Sequence, residues 1–295
     1  MSRLWTVTKT AALNWSAHRD ARQGAALAYY SVFSLGPVIL IAIAVAGFFF
    51  GREAVSGQVT SSINGLVGET GAKAVQAMLA GADRPQQGII ATIIGTALLI
   101  FAAVGVVIQL KDALNIVWEV KEKEGGGVWG FLRSYVVSFA AILALGFLLL
   151  VSLVVTTVLA AGQKYFAPYI PEGILHAISI LISFCVIAVL FAMMFKWLPD
   201  ASVDWHDVWL GALITSAMFE VGKSAIAFYI GKQGLESTYG AAASIIVLLI
   251  WVYYSSQIIL MGAEFTHAFA LHHGSRRDAN AAERGPSRAP QPQRA

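Results

Sequence analysis

Glu220 and Lys223 stand three residues apart inside the otherwise apolar run from Val208 to Gly231. Side chains at that spacing share one face of a helix. An acid and a base placed there can bind a charged group, pass a proton, or neutralise each other as a packing pair. Ser216 and Ser224 extend the polar stripe at a spacing of four, with Ala212 and Ala227 nearby. Glu220 falls about 18 Å into the run at 1.5 Å per helical residue, close to the middle of a bilayer core. A charge at that depth costs about 2.5–3.5 kcal/mol on insertion scales, so the stripe is expected to face inward rather than toward lipid. Two roles compete for it: a substrate or proton site at the midplane, and an ion pair that fixes helix packing.

Other ionisable residues are weaker candidates. Asp200, Asp204, His206 and Asp207 gather just before the same run. Two carboxylates and a histidine could ligate a metal. Acids at a helix start also satisfy free N–H groups and oppose the positive end of the dipole. Capping is the reading adopted, and neither a metal nor a cofactor is expected. Asp200, Asp204 and Glu264 are placed on a cytoplasmic rim, and His267, three after Glu264, could pair with it. Gly36-Pro37 bends the start of the first apolar run, because proline lacks a backbone donor. Tyr29, Tyr30 and Pro37, with Tyr239 and Gly240 at the start of the last run, are assigned to border or gate a cavity beside Glu220 and Lys223. No nucleophile–base–orienter set is legible, and there is no phosphate loop, HExxH or dinucleotide fingerprint. No catalytic residue is assigned, and the chain is not expected to be an enzyme.

The elements that must carry these residues follow from composition. Of 295 residues, 57% are hydrophobic and 13% charged, against about 45–50% and 25% in soluble domains. A soluble fold would expose the excess apolar surface and aggregate. The single cysteine, Cys185, cannot form an internal disulfide. Crossing a bilayer core takes about 20 apolar helical residues. Charge-free gaps of that length, with the Glu220 run, place six spans at about 32–51, 88–110, 134–160, 174–195, 208–231 and 239–262. Runs such as Ile142–Val155 lack the alternation of a barrel strand, and a backbone in lipid must satisfy itself, so the spans are helices. The fold class is all-α: a polytopic membrane protein with six transmembrane helices.

Fourteen of the twenty Lys and Arg residues fall in segments on one side of these spans, five on the other, and Lys223 lies within a span. That bias puts both termini in the cytoplasm. Residues 1–30 read as an N-terminal interfacial helix, with Leu4, Trp5, Ala11, Ala12 and Trp15 on one side. Residues 31–268 form the membrane domain. Between Arg52 and Gln87, helical spacing of Val55, Val59, Ile63 and Leu66, and again of Ala74, Val75, Met78 and Leu79, marks two short amphipathic helices in the first extracytoplasmic loop. They either roof a cavity or lie on the membrane surface. Residues 269–295, rich in Arg and Pro, read as a disordered basic tail.

Four stretches together resemble the YihY/BrkB family of bacterial inner-membrane proteins, once labelled ribonuclease BN. They are Ala26-Leu27-Ala28-Tyr29-Tyr30-Ser31 with Phe33-Ser34-Leu35-Gly36-Pro37; Trp197-Leu198-Pro199-Asp200 with Trp209 and Gly211-Ala212; Glu220-x-x-Lys223 with Tyr229-Ile230; and Thr238-Tyr239-Gly240-Ala241 with Trp251-x-Tyr253 and Gly262-Ala263-Glu264. The resemblance spans residues 20–268. It implies a six-helix inner-membrane protein tied to envelope and lipopolysaccharide physiology and serum resistance. A nuclease role does not fit, since the loops are short and carry no dense basic groove. The leading expectation is transport or translocation of a lipid or amphipathic anion. The alternatives are a scaffold for envelope machinery and a membrane-bound hydrolase built on Asp200, Asp204 and His206. The expected partners are membrane lipids, with room for a homo-oligomer or envelope proteins, and no nucleic acid.

Overall fold

The computed structural model describes residues 2–51, 89–120, 172–232 and 242–272, and isolated positions between 56 and 76. Six helices are described: α1 (Ser2–Ala17), α2 (Asp20–Phe50), α3 (Ile89–Val117), α4 (Glu172–Trp197), α5 (Trp205–Lys232) and α6 (Ala243–His272). Among the described residues there is no strand. The expected span at 134–160, the tail, and Tyr239 and Gly240 lie outside the described residues. Three segments are long and apolar enough to cross a membrane: Asp20–Ile41, Ile180–Trp197 and Ala243–His272. The isolated described positions between 56 and 76 are helical, and Lys73 pairs there with Glu69 at 3.1 Å, one turn apart.

The N-terminal helix ends at Ala17, and residues 20–30 belong to the same helix as the first span. The break falls at His18-Arg19, where Arg19 takes a left-handed conformation at φ 57° and ψ 42°. For a residue with a Cβ that conformation costs about 1–2 kcal/mol, so contacts on both sides must hold it. One such contact is α1 itself, which docks on α6: Val7 and Ala11 pack with Phe265 and Ala268.

α6 is the central element, packing against α1, α2, α3 and α5, while α4 leans on α5. The largest buried cluster draws Leu27 from α2, Leu114, Val117 and Trp118 from the end of α3, Phe195 from α4, Val208 and Ala212 from α5, and Leu260 and Ala263 from α6. These positions share one end of the bundle, the end expected in the cytoplasm. The loop from α4 to α5 is pinned there. Asp200 pairs with Lys111 at 2.9 Å, its carboxylate accepts from Asn115 at 3.1 Å, and its backbone N–H donates to Asn115 at 2.8 Å. Lys196 donates to the Val203 carbonyl and lies over the Trp205 ring. Trp205 contacts Trp197 and Trp209, three exposed indoles of the kind that settle at a membrane interface.

Candidate functional site

The helical spacing of Glu220 and Lys223 is realised as an ion pair of 2.7 Å within α5, with the side chains 29% and 33% exposed. The pair sits at the margin of the packed face. Beside it, Phe219 meets Phe191 of α4 and Trp251 of α6, and Gly222 lies against Tyr254 and Ile258 of α6. Val221 and Ser224 are exposed. The polar stripe therefore does not face uniformly inward. Ser216 is buried and donates to the Ala212 carbonyl at 2.8 Å, whereas the exposed Ser224 reaches the Glu220 carbonyl at only 3.4 Å. Helical rotation explains the split, since a spacing of four drifts by about 40° per step at 3.6 residues per turn.

Tyr29, Tyr30 and Pro37 lie on α2, which packs on α3 and α6, whereas α5 packs on α4 and α6. Tyr29 and Tyr30 are exposed and stack edgewise at 5.8 Å, with Phe33 5.2 Å from Tyr29. No described hydrogen bond, ion pair or ring contact joins them to Glu220 or Lys223. Asp204 is exposed at the start of α5, and its carbonyl accepts from the N–H groups of Asp207 and Val208 at 3.1 Å. Asp200 is the anchor of the α4–α5 loop.

Glu264 departs from expectation. It is fully buried rather than on a rim, and it binds His18: Glu264 Oε1 lies 2.5 Å from His18 Nδ1. The His267 ring lies 5.0 Å from that of Trp118, tilted at 46°. The other ring nitrogen of His18, Nε2, faces Glu119 at 3.6 Å. Asp20, the first residue of α2, is also fully buried, and ligand atoms of His18, Asp20 and Glu264 all lie within 4.8 Å of one another. Both carboxylate oxygens of Asp20, and Oε2 of Glu264, are buried without a hydrogen-bond partner. A buried carboxylate lacking donors is unfavourable unless a proton or a cation compensates it. The imidazole of His18 lies within ion-pair distance of Glu264.

Two left-handed residues build this cluster. Arg19 breaks the helix between His18 and Asp20, and both side chains reach Glu264 on α6. Glu119 closes α3: its N–H donates to the Ile116 carbonyl at 3.0 Å, and that of Val120 to the Asn115 carbonyl at 2.9 Å, with φ 51° at Glu119. That is a Schellman ending, in which glycine is the usual left-handed residue. Here a glutamate holds the position and points at His18. The cluster draws on three segments far apart in sequence. Its only local signal was an acid at the first position of α2, which a helix dipole explains equally well.

The family model described as virulence factor BrkB matches residues 12–286. The chain is similar to UPF0761 membrane proteins of several bacteria. It is 27% identical over 267 residues to one from Verminephrobacter eiseniae, covering 88% of this chain and 61% of that protein. It is 30% identical over 253 residues to one from Legionella pneumophila, covering 85% and 58%, and 33% identical over 171 residues to one from Albidiferax ferrireducens, covering 57% and 39%. The chain thus spans less than two thirds of the length of each. No solved structure matches it.

Proposed function

The chain belongs to the virulence factor BrkB family of membrane proteins, and from that premise we propose that it is an inner-membrane transporter or translocase for a lipid or amphipathic anion. In this reading the chain crosses the membrane six times with both termini in the cytoplasm, the orientation that the distribution of Lys and Arg favours. Its direct partners are membrane lipids.

The observation that carries the proposal is the partial exposure of the Glu220–Lys223 pair, 16 and 19 positions into a 28-residue helix. A pair serving only to join helices would be sealed between them. Charges left open at mid-depth of a span are stable only beside polar surroundings, because acyl chains cannot solvate them. The open side of α5 is therefore read as one wall of a polar path. An anionic headgroup arriving there competes with Glu220 for the Lys223 ammonium, and Glu220 is released to take a proton or to repel a second anion.

The test uses purified protein in vesicles containing headgroup-labelled phosphatidylglycerol, with transbilayer movement followed by quenching of the outer leaflet. Wild type is expected to accelerate movement. Lys223→Met is expected to reduce the rate at least tenfold, and Glu220→Gln to alter its dependence on pH. Equal rates in wild type and both variants reject the assignment.

A further inference from the structure

We propose that His18, Asp20 and Glu264 bind a divalent transition-metal ion of the zinc class, at the end of the bundle where α1 turns into α2. This inference does not rest on the transport reading. Acidic residues close together are common without a metal, and what separates this cluster is the state of its oxygens. Asp20 is fully buried, its carboxylate is directed into the cluster, and neither oxygen has a hydrogen-bond partner. Glu264 is equally buried; His18 and the Asn14 side chain approach its carboxylate, and Oε2 has no partner in hydrogen-bond geometry. Two carboxylates and a neutral imidazole carry a charge of minus two, which one divalent ion cancels. Without that ion, protons would have to supply the balance.

The donor set selects the ion. Imidazole nitrogen with carboxylate oxygen suits zinc and its neighbours, whereas calcium and magnesium favour oxygen alone. Zinc ligand atoms lie about 2.0–2.2 Å from the metal. His18 Nδ1 and Glu264 Oε1, now 2.5 Å apart, need to separate by roughly 1 Å to admit an ion in tetrahedral geometry. His18 occupies the turn between two helices. The second ring nitrogen is already oriented: Nε2 faces the Glu119 carboxylate at 3.6 Å. A histidine ligand that gives its other N–H to a carboxylate is the usual arrangement around protein-bound zinc. Three protein ligands leave a coordination position for water or for a fourth group. Bound there, the ion ties the α1–α2 turn to α6.

The experiment uses the full chain in detergent, stripped with a chelator and titrated with Zn²⁺ against a chromophoric competitor. All measurements are made with His272 and His273 replaced by alanine, so that imidazoles near the C-terminus do not contribute. The expected result is one saturable site, weakened at least tenfold in Asp20→Asn and in His18→Gln and unchanged in Asp204→Asn. Co²⁺ in place of zinc is expected to give a ligand-field spectrum that changes when His18 is replaced. If Asp20→Asn does not fold, His18→Gln, altered in a half-buried turn, decides alone. Absence of a saturable site in the folded parent protein overturns the proposal and leaves protons as the compensating charge. Equal affinity in the parent and His18→Gln overturns it as well.

Discussion

Thr215 on α5 and Thr266 on α6 each occupy the notch left by a glycine on the opposite helix. Thr266 seats over Gly211 and Thr215 over Gly262. Each hydroxyl donates to a carbonyl of its own helix, Thr215 to Gly211 and Thr266 to Gly262, both at 2.7 Å. The two contacts mirror each other across the crossing. Small residues let the backbones approach, and the threonine hydroxyls are satisfied without a partner from the other helix. The same crossing carries Glu264 on α6 and the start of α5, so it fixes the end of the bundle where the buried acids meet.

This crossing should tolerate no added methyl group. A Cβ at Gly211 would collide with the Thr266 hydroxyl and one at Gly262 with that of Thr215. Gly211→Ala is expected to lower stability by about 1–3 kcal/mol, the usual range for overpacking. Thr266→Ala combined with Gly211→Ala removes the nearest clashing atom and should recover part of the loss. Thermal unfolding in detergent of the two single variants and the double variant reads the coupling; strict additivity would show that the glycine does not serve close approach.

The Glu220–Lys223 pair should matter more to activity than to stability. Its side chains are about one-third exposed, and polar contacts within membrane bundles contribute about 0.6 kcal/mol on average. Glu220→Leu with Lys223→Leu is expected to unfold within about 1 kcal/mol of wild type while losing movement of labelled lipid. A large drop in melting temperature would assign the pair to packing instead.

Orientation can be checked with one engineered thiol. Asp204 is exposed at the start of α5, on the side that the Lys and Arg bias assigns to the cytoplasm. In a Cys185→Ser background, Asp204→Cys should react with an impermeant maleimide in inverted vesicles and stay unlabelled in intact spheroplasts. Labelling in spheroplasts would reverse the orientation.

Much of the architecture was legible because lipid imposes a local rule: an apolar run must be long enough and must close its own hydrogen bonds. The described parts of the first, second, fourth, fifth and sixth expected runs are helical, and three of these helices carry segments long and apolar enough to cross a membrane. The three-residue spacing of Glu220 and Lys223 likewise guaranteed that they would meet. The outward turn of Ser224 was not legible, because periodicity defines the faces of a helix without saying which face a neighbour covers. The break at Arg19 was hidden for a related reason. Left-handed endings are usually announced by glycine, and here Arg19 and Glu119 hold them, so their sequence gives no stop signal.

By itself, then, the chain's sequence determined its solvent and its secondary structure, since both depend on composition and on neighbours within a few residues. Tertiary structure decided that His18 would bind Glu264 across 246 residues, with Asp20 beside them. That meeting depends on how the chain breaks between α1 and α2 and how closely both approach α6. Those distances are set by side-chain shape at the crossings, which no local pattern encodes.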